Sequence, residues 1–337
     1  MASRIYGLDI GTDYFRMCSM NRILDERCCI ALENKSDVRA AGDEAYDMAE
    51  KAPASIRVSF PVKEGVIAGL ADMQLLTAQM YRKLNDGKRV NGADFCIAVP
   101  TDISGVQRRA FTDVIYRAGL REHSVSLVDM PIACAVGAGI HIFSGTPSMI
   151  VNIGGSRTGI AVIAEGGIAA YSAVPVGGDL FDEKIIQTVR RGYNLLIGHK
   201  TAENLKKQIG SALPGSPQVS VSAFGRNVLS GLPSRSTITA DVICEAYASD
   251  LKQIGAAILS TLEKTPSVTA GQIRENGFYL TGGTALMRNI RPFLTKETGI
   301  PCAVAPSPSE AAIRGIIAIA SDRQLAGIAR KPENELF

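Results

Sequence analysis

The feature that most constrains the fold of this sequence is a pattern that occurs twice. An apolar strand at 4–10 runs into the turn Gly11-Thr12-Asp13, and a second apolar strand at 149–153 runs into Gly154-Gly155-Ser156. Short strands follow each turn. A duplicated unit of this kind predicts two related lobes that face each other across a cleft, with one glycine turn contributed by each lobe.

Strands and helices alternate along much of the chain, which is typical of an α/β fold. Strands are predicted at 4–10, 14–20, 27–32, 95–100, 124–128, 149–153, 158–165 and 168–174, with a last strand–turn–helix at 278–286. Helices are predicted at 66–84, 104–118, 131–140, 180–193, 241–263 and 309–320. Residues 33–60 are predicted to be a polar, irregular insert, and residues 211–240 to form a small β-rich subdomain.

Composition limits the classes of function. With 337 residues, 46% of them hydrophobic, the chain is long enough for two cores. Its 36 basic and 33 acidic side chains leave a net charge of +3 and no basic stripe, which argues against nucleic acid as a partner. No leader segment and no long apolar run is evident, so we expect a cytoplasmic protein.

The cysteines and histidines carry no metal-binding pattern. The number of cysteines is odd, none has CxxC spacing, and most lie in apolar runs, which predicts reduced, mostly buried thiols. The histidines are far apart and are expected to have surface roles. These residues are Cys18, Cys28, Cys29, Cys96, Cys134, Cys244 and Cys302, and His123, His141 and His199.

Three glycine-rich turns point to a phosphate-containing ligand. They contain Gly11-Thr12, Gly154-Gly155 and Gly282-Gly283, and each follows a predicted strand. Backbone N–H groups in such turns can surround phosphate oxygens because no side chain is in the way. A single Gly-Gly after a strand is more often only a tight turn, but three in this arrangement indicate a nucleotide.

These motifs resemble those of the MreB-like bacterial actin homologues, which share a superfamily with actin, the seventy-kilodalton heat-shock chaperones and sugar kinases. Residues 8–12 resemble the family's first phosphate loop, 151–156 its second, and 280–286 its adenosine motif. The stretches 178–183 and 197–211 are also similar, and the resemblance covers nearly the whole chain.

The resemblance implies an α/β, actin-like fold with two duplicated lobes, each built on a mixed five-stranded sheet, around a nucleotide cleft. Lobe I is expected to comprise 1–145 and 306–337, with a small insert subdomain at about 33–60. Lobe II is expected to comprise 146–305, with an insert subdomain at about 182–245.

The resemblance also implies that ATP or ADP binds in the cleft. Within the similar stretch, Glu203 and Lys206 match residues that contact the nucleoside, and their spacing places them on one helix face. The full set of expected nucleotide contacts is Asp9, Gly11, Thr12, Asp13, Gly154, Gly155, Ser156, Arg157, Gly178, Asp179, Glu203, Lys206, Gly282, Gly283 and Thr284.

Positions that the family uses for hydrolysis are changed here. Asn152 stands where the resemblance implies an Asp that helps hold hydrated Mg²⁺, and Met130 stands where it implies a Glu that positions the attacking water. Asp129 is a candidate substitute, although it is one position away. Asp9 is retained and is expected to hold Mg²⁺ weakly through water, so binding is better supported than turnover.

Arg157 replaces a small residue of the second phosphate loop. Three interpretations stay open at the level of sequence. The side chain clamps phosphate and replaces some of the missing metal charge, or it fills the cleft, or it points away from the site as an exposed residue.

Self-association into head-to-tail filaments is implied by the resemblance alone, as are partners among cell-shape or membrane-associated proteins. The first strand begins by residue 5, and the loop at 83–91, a candidate membrane contact, is polar. Direct membrane insertion is therefore not expected, although the basic residues of the loop can attract anionic lipid weakly.

Four functions remain at this stage. The first is a cell-shape filament protein that binds nucleotide with weak or absent hydrolysis, and the second is an active cytoskeletal ATPase that uses Asp129, Asp9 or a metal-independent route. A sugar- or metabolite-kinase-like enzyme would need an acidic base and a sugar-binding insert, neither of which is clear in the sequence. The fourth is a non-polymerising adaptor that binds a partner protein.

Overall fold

The chain forms two compact units in a computed structural model. Unit 1 comprises Met1–Thr146, Ile163–Ile168 and Glu310–Phe337, and unit 2 comprises Pro147–Val162 and Ala169–Ser309. The residues that the structure describes are 4–19, 22–34, 36–88, 92–120, 122–215 and 219–331. Residues 89–91 of the predicted membrane-contact loop lie outside the described residues.

The strands are β1 Arg4–Ile10, β2 Tyr14–Ser19, β3 Arg22–Arg27, β4 Ile30–Glu33, β5 Asp37–Ala41, β6 Ile56–Ser59, β7 Val62–Lys63, β8 Val66–Ile67, β9 Ala93–Val99, β10 Glu122–Asp129, β11 Ser148–Ile153, β12 Thr158–Ala164, β13 Gly167–Val174, β14 Leu195–Leu196, β15 Ser220–Asn227, β16 Pro233–Thr239, β17 Phe278–Thr281 and β18 Cys302–Val304. The helices are α1 Asp43–Met48, α2 Leu70–Leu84, α3 Gly105–Arg117, α4 Met130–Gly137, α5 Gly178–Tyr193, α6 His199–Ile209, α7 Ala240–Glu263, α8 Ser267–Asn276, α9 Ile290–Thr298 and α10 Ala311–Ser321. Most predicted elements are confirmed, with boundaries shifted by a few residues.

The main sheet of unit 1 has the order β10-β9-β1-β2-β3. Strand β1 is parallel to β9 and antiparallel to β2, so the sheet is mixed. Helices cover both faces. On one face the ring of Tyr6 lies 5.1 Å from that of Tyr81 on α2, and on the other Gly7 lies against Ile316 of α10. Burial on both faces explains why β1 is an apolar run and not an alternating one.

The main sheet of unit 2 has the order β13-β12-β11-β17-β18. As in unit 1, three sequential strands lie side by side, and two later strands are added beside the first of them. Strand β11 is parallel to β17, as β1 is to β9. The two mixed five-stranded sheets and their duplication are thus confirmed.

Helices α5, α6 and α7 pack against the main sheet of unit 2 in one hydrophobic core. The rings of Phe181 on α5 and Tyr247 on α7 lie 4.9 Å apart, and both are fully buried. A separate three-stranded sheet, β14-β15-β16, accounts for the β-rich segment predicted at 211–240. The prediction is confirmed from residue 220 onward, where β15 and β16 lie.

Two expectations for the first insert are wrong. The third strand of the meander is β3 at 22–27 and not 27–32, because the buried run from Ile30 to Leu32 belongs to a different sheet, β5-β4-β6. The segment 33–60 is also regular and not irregular, since it contains β5, β6 and α1. Its core consists of small side chains, Cys29, Ala31, Ala40 and Ala45, which give little hydrophobic periodicity.

Other differences are smaller. The helix predicted at 66–84 begins at Leu70, because residues 66–67 pair with β7 as a short hairpin. Helices α8 and α9 and strand β18 were not predicted, and α8 in particular buries only Ile273. None of the seven cysteines is in a disulfide, and six of them are buried as predicted. No helix in the described ranges is long and apolar enough to span a bilayer.

Helices α4 and α10 pack so closely that two glycines lie directly against the backbone of the other helix. A Cβ atom on Gly137 would overlap the carbonyl oxygen of Ala311, and one on Gly315 would overlap the carbonyl oxygen of Ala133. Each glycine therefore faces the backbone of the other helix. Any side chain at either position forces the two helices apart.

We predict that Gly137→Ala and Gly315→Ala each lower the free energy of unfolding by about 2 kcal/mol or more, because the added methyl group has no space. Gly271→Ala is the matched control. This glycine is also inside a helix, α8, but nothing lies within 4 Å of its Cβ position. There the substitution should stabilise by about 0.5 kcal/mol through helix propensity. Urea unfolding followed by circular dichroism measures all three, and equal effects at the three glycines would contradict the packing argument.

Candidate functional site

The turn after β11 is closed by its own backbone. The amide of Gly154 donates to the carbonyl oxygen of Arg157 at 3.0 Å. Gly155, Ser156 and Arg157 are all half-buried. The fully exposed position considered for Arg157 is therefore not observed.

The start of helix α5 fixes this turn. The amides of Gly178 and Asp179 donate to the carbonyl oxygens of Gly154 and Gly155, at 3.0 and 2.8 Å. Gly177 precedes the helix and lies so close to the turn that a Cβ atom there would overlap the carbonyl oxygen of Gly155. Only glycine permits this approach. The predicted contacts Gly178 and Asp179 thus have a structural role, since their N–H groups position the glycine turn.

Helix α6 is tied to the same place by Lys206. Its Nζ atom donates to the carbonyl oxygen of Gly178 at 2.8 Å and to Oδ2 of Asp182 at 2.7 Å. The Lys206 and Asp182 side chains are only 14% and 9% exposed. A buried pair of this kind is costly to separate, because each charge would be left in a poorly solvated place.

Glu203 lies one turn before Lys206 on α6, as the spacing predicted. Its carboxylate is buried and forms an ion pair with Lys207 at 2.8 Å. The two candidate residues therefore share a helix, but they have different partners.

The segment after β17 also reaches the glycine turn. Residues Gly283–Leu286 form a 3₁₀ helix, and the hydroxyl of Thr284 donates to the carbonyl oxygen of Gly154 at 3.1 Å. Gly282 has a φ of +87°, and a Cβ atom there would overlap the carbonyl oxygen of Ile153. Glycine is required at this position for both reasons.

The predicted contacts of unit 2 thus come from four segments that are distant in sequence and joined by hydrogen bonds. They are Gly154, Gly155, Gly178, Asp179, Lys206 and Thr284. Backbone turns and a helix N-terminus in this arrangement are chemically suited to an anionic ligand.

The remaining position of interest in unit 2 is Asn152, at the end of β11. Its Oδ1 atom accepts a hydrogen bond from the hydroxyl of Thr281 at 3.3 Å. The amide carries no charge, so it cannot neutralise a cation.

In unit 1 the turn after β1 is also held by hydrogen bonds. The hydroxyl of Thr12 accepts from the amide of Gly65 at 3.3 Å, and the carbonyl oxygen of Asp13 accepts from the amide of Cys28 at 2.8 Å. A Cβ atom on Gly11 would lie 2.9 Å from a carbonyl oxygen on the far side of the turn. The turn is therefore compact, as its sequence predicted.

Asp9 is buried at the end of β1 and faces a cation. Nη1 of Arg16, on the neighbouring strand β2, lies 3.4 Å from its Oδ2 atom, and Nε of Arg16 lies 3.1 Å from Oδ1 of Asp25 on β3. Burial raises the pKa of the Asp9 carboxyl above its ordinary value, and the Arg16 guanidinium offsets part of that rise. One arginine thus links three strands through two carboxylates.

The residues at the start of α4 include Met130, which is half-buried and cannot accept a proton. Asp129 comes before it, and its Oδ1 atom lies 3.2 Å from Nη2 of Arg108. Both side chains are mostly shielded from water. The ion pair to Arg108 therefore occupies the carboxylate that would have to substitute for the missing Glu.

The donor set does not fit a Mg²⁺ ion at Asp9. Mg²⁺ requires anionic or polarised oxygen ligands in near-octahedral geometry, but the Asp9 carboxylate faces the Arg16 guanidinium. In the described part of the chain, no three His, Cys, Asp or Glu side chains are grouped so that they can hold a metal ion. The predicted water-mediated Mg²⁺ contact at Asp9 therefore gains no support from these neighbours.

Two residues of these sites were missed at the level of sequence, Arg16 and Asp182. Arg16 stands between Phe15 and Met17 in an apolar strand, and a cation in such a position needs a buried partner. Asp182 occupies a buried position of the amphipathic helix α5. A charge at an apolar position was the available signal in both cases, but it does not identify the partner.

Comparison with known proteins places these sites in a family. The family model described as MreB/Mbl protein matches residues 3–327. The chain is 36% identical over 323 residues to the cell shape-determining protein MreB of Escherichia coli strain K12, a match that covers 94% of this chain and 92% of the relative.

Solved structures agree. The structure of MreB5 of Spiroplasma citri bound to ADP superposes with a TM-score of 0.90 at 30% identity and covers 97% of this chain and 98% of that one. The same protein has also been solved bound to AMPPNP. The MamK double helical filament matches with a TM-score of 0.78 at 16% identity, over 95% of this chain and 99% of that one, which shows the shared fold. The predicted actin-like fold is confirmed.

We predict opposite effects of pH on two Asp→Asn variants in unit 1. The folded state raises the pKa of Asp9 through burial, so the charged carboxylate costs stability above that pKa, and the cost disappears as the pH falls. Asp9→Asn should therefore stabilise unit 1 at neutral pH, and the gain should shrink in acid. Arg16 keeps Asp25 as a partner in this variant.

Asp72→Asn is the matched control with the opposite sign. Two hydrogen bonds from Arg57, at 2.9 and 3.1 Å, lower the pKa of the Asp72 carboxyl. Its removal should destabilise the fold at neutral pH, and the loss should vanish as the pH falls through the lowered pKa. Urea unfolding at neutral and acid pH measures both variants. The same pH trend in the two would contradict the assignment.

Proposed function

Because the chain belongs to the MreB/Mbl family, we propose that it is a cell-shape cytoskeletal protein that binds ATP or ADP and assembles head-to-tail into filaments, with weak or absent ATP hydrolysis. One observation of the structure carries the nucleotide part of this proposal. Gly154, Gly178, Lys206 and Thr284 come from separate segments and meet at one glycine turn. The relative solved with ADP and with AMPPNP supports it.

The proposed nucleotide contacts in unit 2 are the turn after β11, the start of α5, the part of α6 that carries Glu203 and Lys206, and the segment after β17. Lys206 is already bound to Asp182, so we assign it the task of holding α5 and α6 in place beside the ligand. In unit 1 the proposed contacts are Asp9 and the turn from Gly11 to Asp13. A backbone-lined site suits phosphate because amide donors need no rearrangement when the ligand binds.

Weak hydrolysis is proposed from the side chains that the site lacks. Met130 cannot orient a water molecule, and Asn152 carries no charge. The carboxylate of Asp129 is engaged by Arg108 at 3.2 Å, which disfavours the alternative of an active ATPase that uses Asp129. Each missing group of this type usually costs about 100-fold or more in rate.

We predict that the purified chain binds a fluorescent ATP analogue but releases phosphate close to the background rate. Asn152→Asp combined with Met130→Glu should raise the rate by about tenfold or more, because it restores the acidic groups that the family resemblance implies. Asn276→Asp, at the exposed end of α8, is the matched control and should change nothing. Steady release by the unmodified chain at the rate of Escherichia coli MreB, measured in parallel, would contradict the proposal.

We further predict that the chain sediments as filaments. High-speed pelleting and negative-stain microscopy, each with ATP, with ADP and without nucleotide, measure this directly. Filaments in the presence of a non-hydrolysed analogue are expected, since assembly in this proposal depends on binding and not on turnover. A chain that stays in the supernatant under all conditions would instead favour the non-polymerising adaptor.

A further inference from the structure

The structure places a permanent cation beside Asp9, the carboxylate that was expected to hold a metal ion. Arg16 lies directly across from Asp9 in the register of β1 and β2, and across from Asp25 in the register of β2 and β3. Its side chain is 11% exposed and that of Asp9 is 8% exposed. The three residues therefore form a row on one face of the sheet, with the positive charge in the middle.

The position of Arg16 is fixed by the fold. Both of its carboxylate partners lie on neighbouring strands, so the guanidinium cannot leave without abandoning two charges at once. The planar group places a different nitrogen beside each carboxylate, which a lysine with its single nitrogen cannot do. Nη1 donates to Oδ2 of Asp9 at 3.4 Å, and Nε lies 3.1 Å from Oδ1 of Asp25 as an ion pair without a hydrogen bond.

The two carboxylates are not equivalent. The Asp25 side chain is 38% exposed, so water screens its charge, whereas Asp9 is buried. Arg16 is therefore the main compensation for the Asp9 charge. A bare, buried carboxylate would repel the phosphates of a nucleotide, and in a metal-dependent site the metal ion removes that repulsion.

We propose that the Arg16 guanidinium takes the place of a divalent cation beside Asp9, so that this chain binds ADP or ATP without Mg²⁺. The inference rests on the proposed function, which includes Asp9 among the nucleotide contacts. Arg16 neutralises Asp9 from within the main sheet of unit 1. A metal ion at Asp9 would also be repelled by the guanidinium.

The test is the dissociation constant of a fluorescent ADP analogue, measured in excess Mg²⁺ and in excess EDTA. For the unmodified chain the two values should agree within about twofold. Arg16→Leu should bind about tenfold or more weakly in EDTA and should recover when Mg²⁺ is added, because the ion can then compensate Asp9. Arg22→Leu is the matched control, since Arg22 lies on β3 and pairs with the exposed Asp86. It should bind equally in both conditions.

Two further variants distinguish a loss of charge compensation from a loss of folding. Arg16→Lys keeps the charge and should stay independent of Mg²⁺. The double variant Asp9→Asn with Arg16→Leu removes both charges, so it leaves no bare carboxylate and should also bind equally with and without Mg²⁺. Thermal unfolding confirms that each variant is folded before titration.

The outcomes separate the two proposals. Binding by the unmodified chain only in the presence of Mg²⁺ would overturn the role of Arg16 and leave nucleotide binding intact. The same follows if a folded Arg16→Leu variant shows no dependence on Mg²⁺, or if the double variant requires the metal. Failure to bind under both conditions would instead overturn the proposed nucleotide site.

Discussion

The site in unit 2 depends on two hydrogen bonds between the backbone of a turn and the start of a helix. The carbonyl oxygens of Gly154 and Gly155 accept from the first two amides of α5, and Gly177 is close enough that a side chain there would prevent both bonds. A loop lined by amides can hold phosphate only if it does not have to reorganise, and these bonds remove that freedom. Thr284 and Lys206 attach two further segments to the same turn. The glycines therefore have two effects: they allow the close packing that fixes the turn, and they leave room for a ligand beside it.

The main constraint in unit 1 is electrostatic: the charge of a buried carboxylate must be compensated. A carboxylate that is fully buried must be paired, and Asp9 is paired within its own sheet by Arg16. A site that relies on a metal ion for this purpose is left with an uncompensated charge whenever the ion is absent. An arginine built into β2 has no such dependence, and Asp25 keeps it in place from the other side.

The fold could be predicted from the sequence because the clearest patterns in the sequence are those of strands, turns and helices. The apolar strands β1 and β11, each followed by a glycine turn, predicted the duplication, and the family resemblance implied the two five-stranded sheets. The prediction for the first insert was wrong for a physical reason. Alanines and a cysteine form the core there, and β3 is half-exposed at a sheet edge. Side chains of that size and a strand of that polarity give no periodic pattern. Long-range pairing of Arg16 with Asp9, or of Lys206 with Asp182, depends on register and helix packing, which no local pattern contains.

The charged groups near the predicted site share one property. Lys206 is bound to Asp182, Asp129 to Arg108 and Asp9 to Arg16, each within its own unit. A residue that acts as a base or a metal ligand during turnover must be able to change its partner or its protonation state, and a shielded ion pair opposes both changes. Contacts made by backbone amides are not affected by this restriction. Under the proposed function, the same arrangement that disfavours hydrolysis leaves the backbone-lined turns suited to holding a nucleotide.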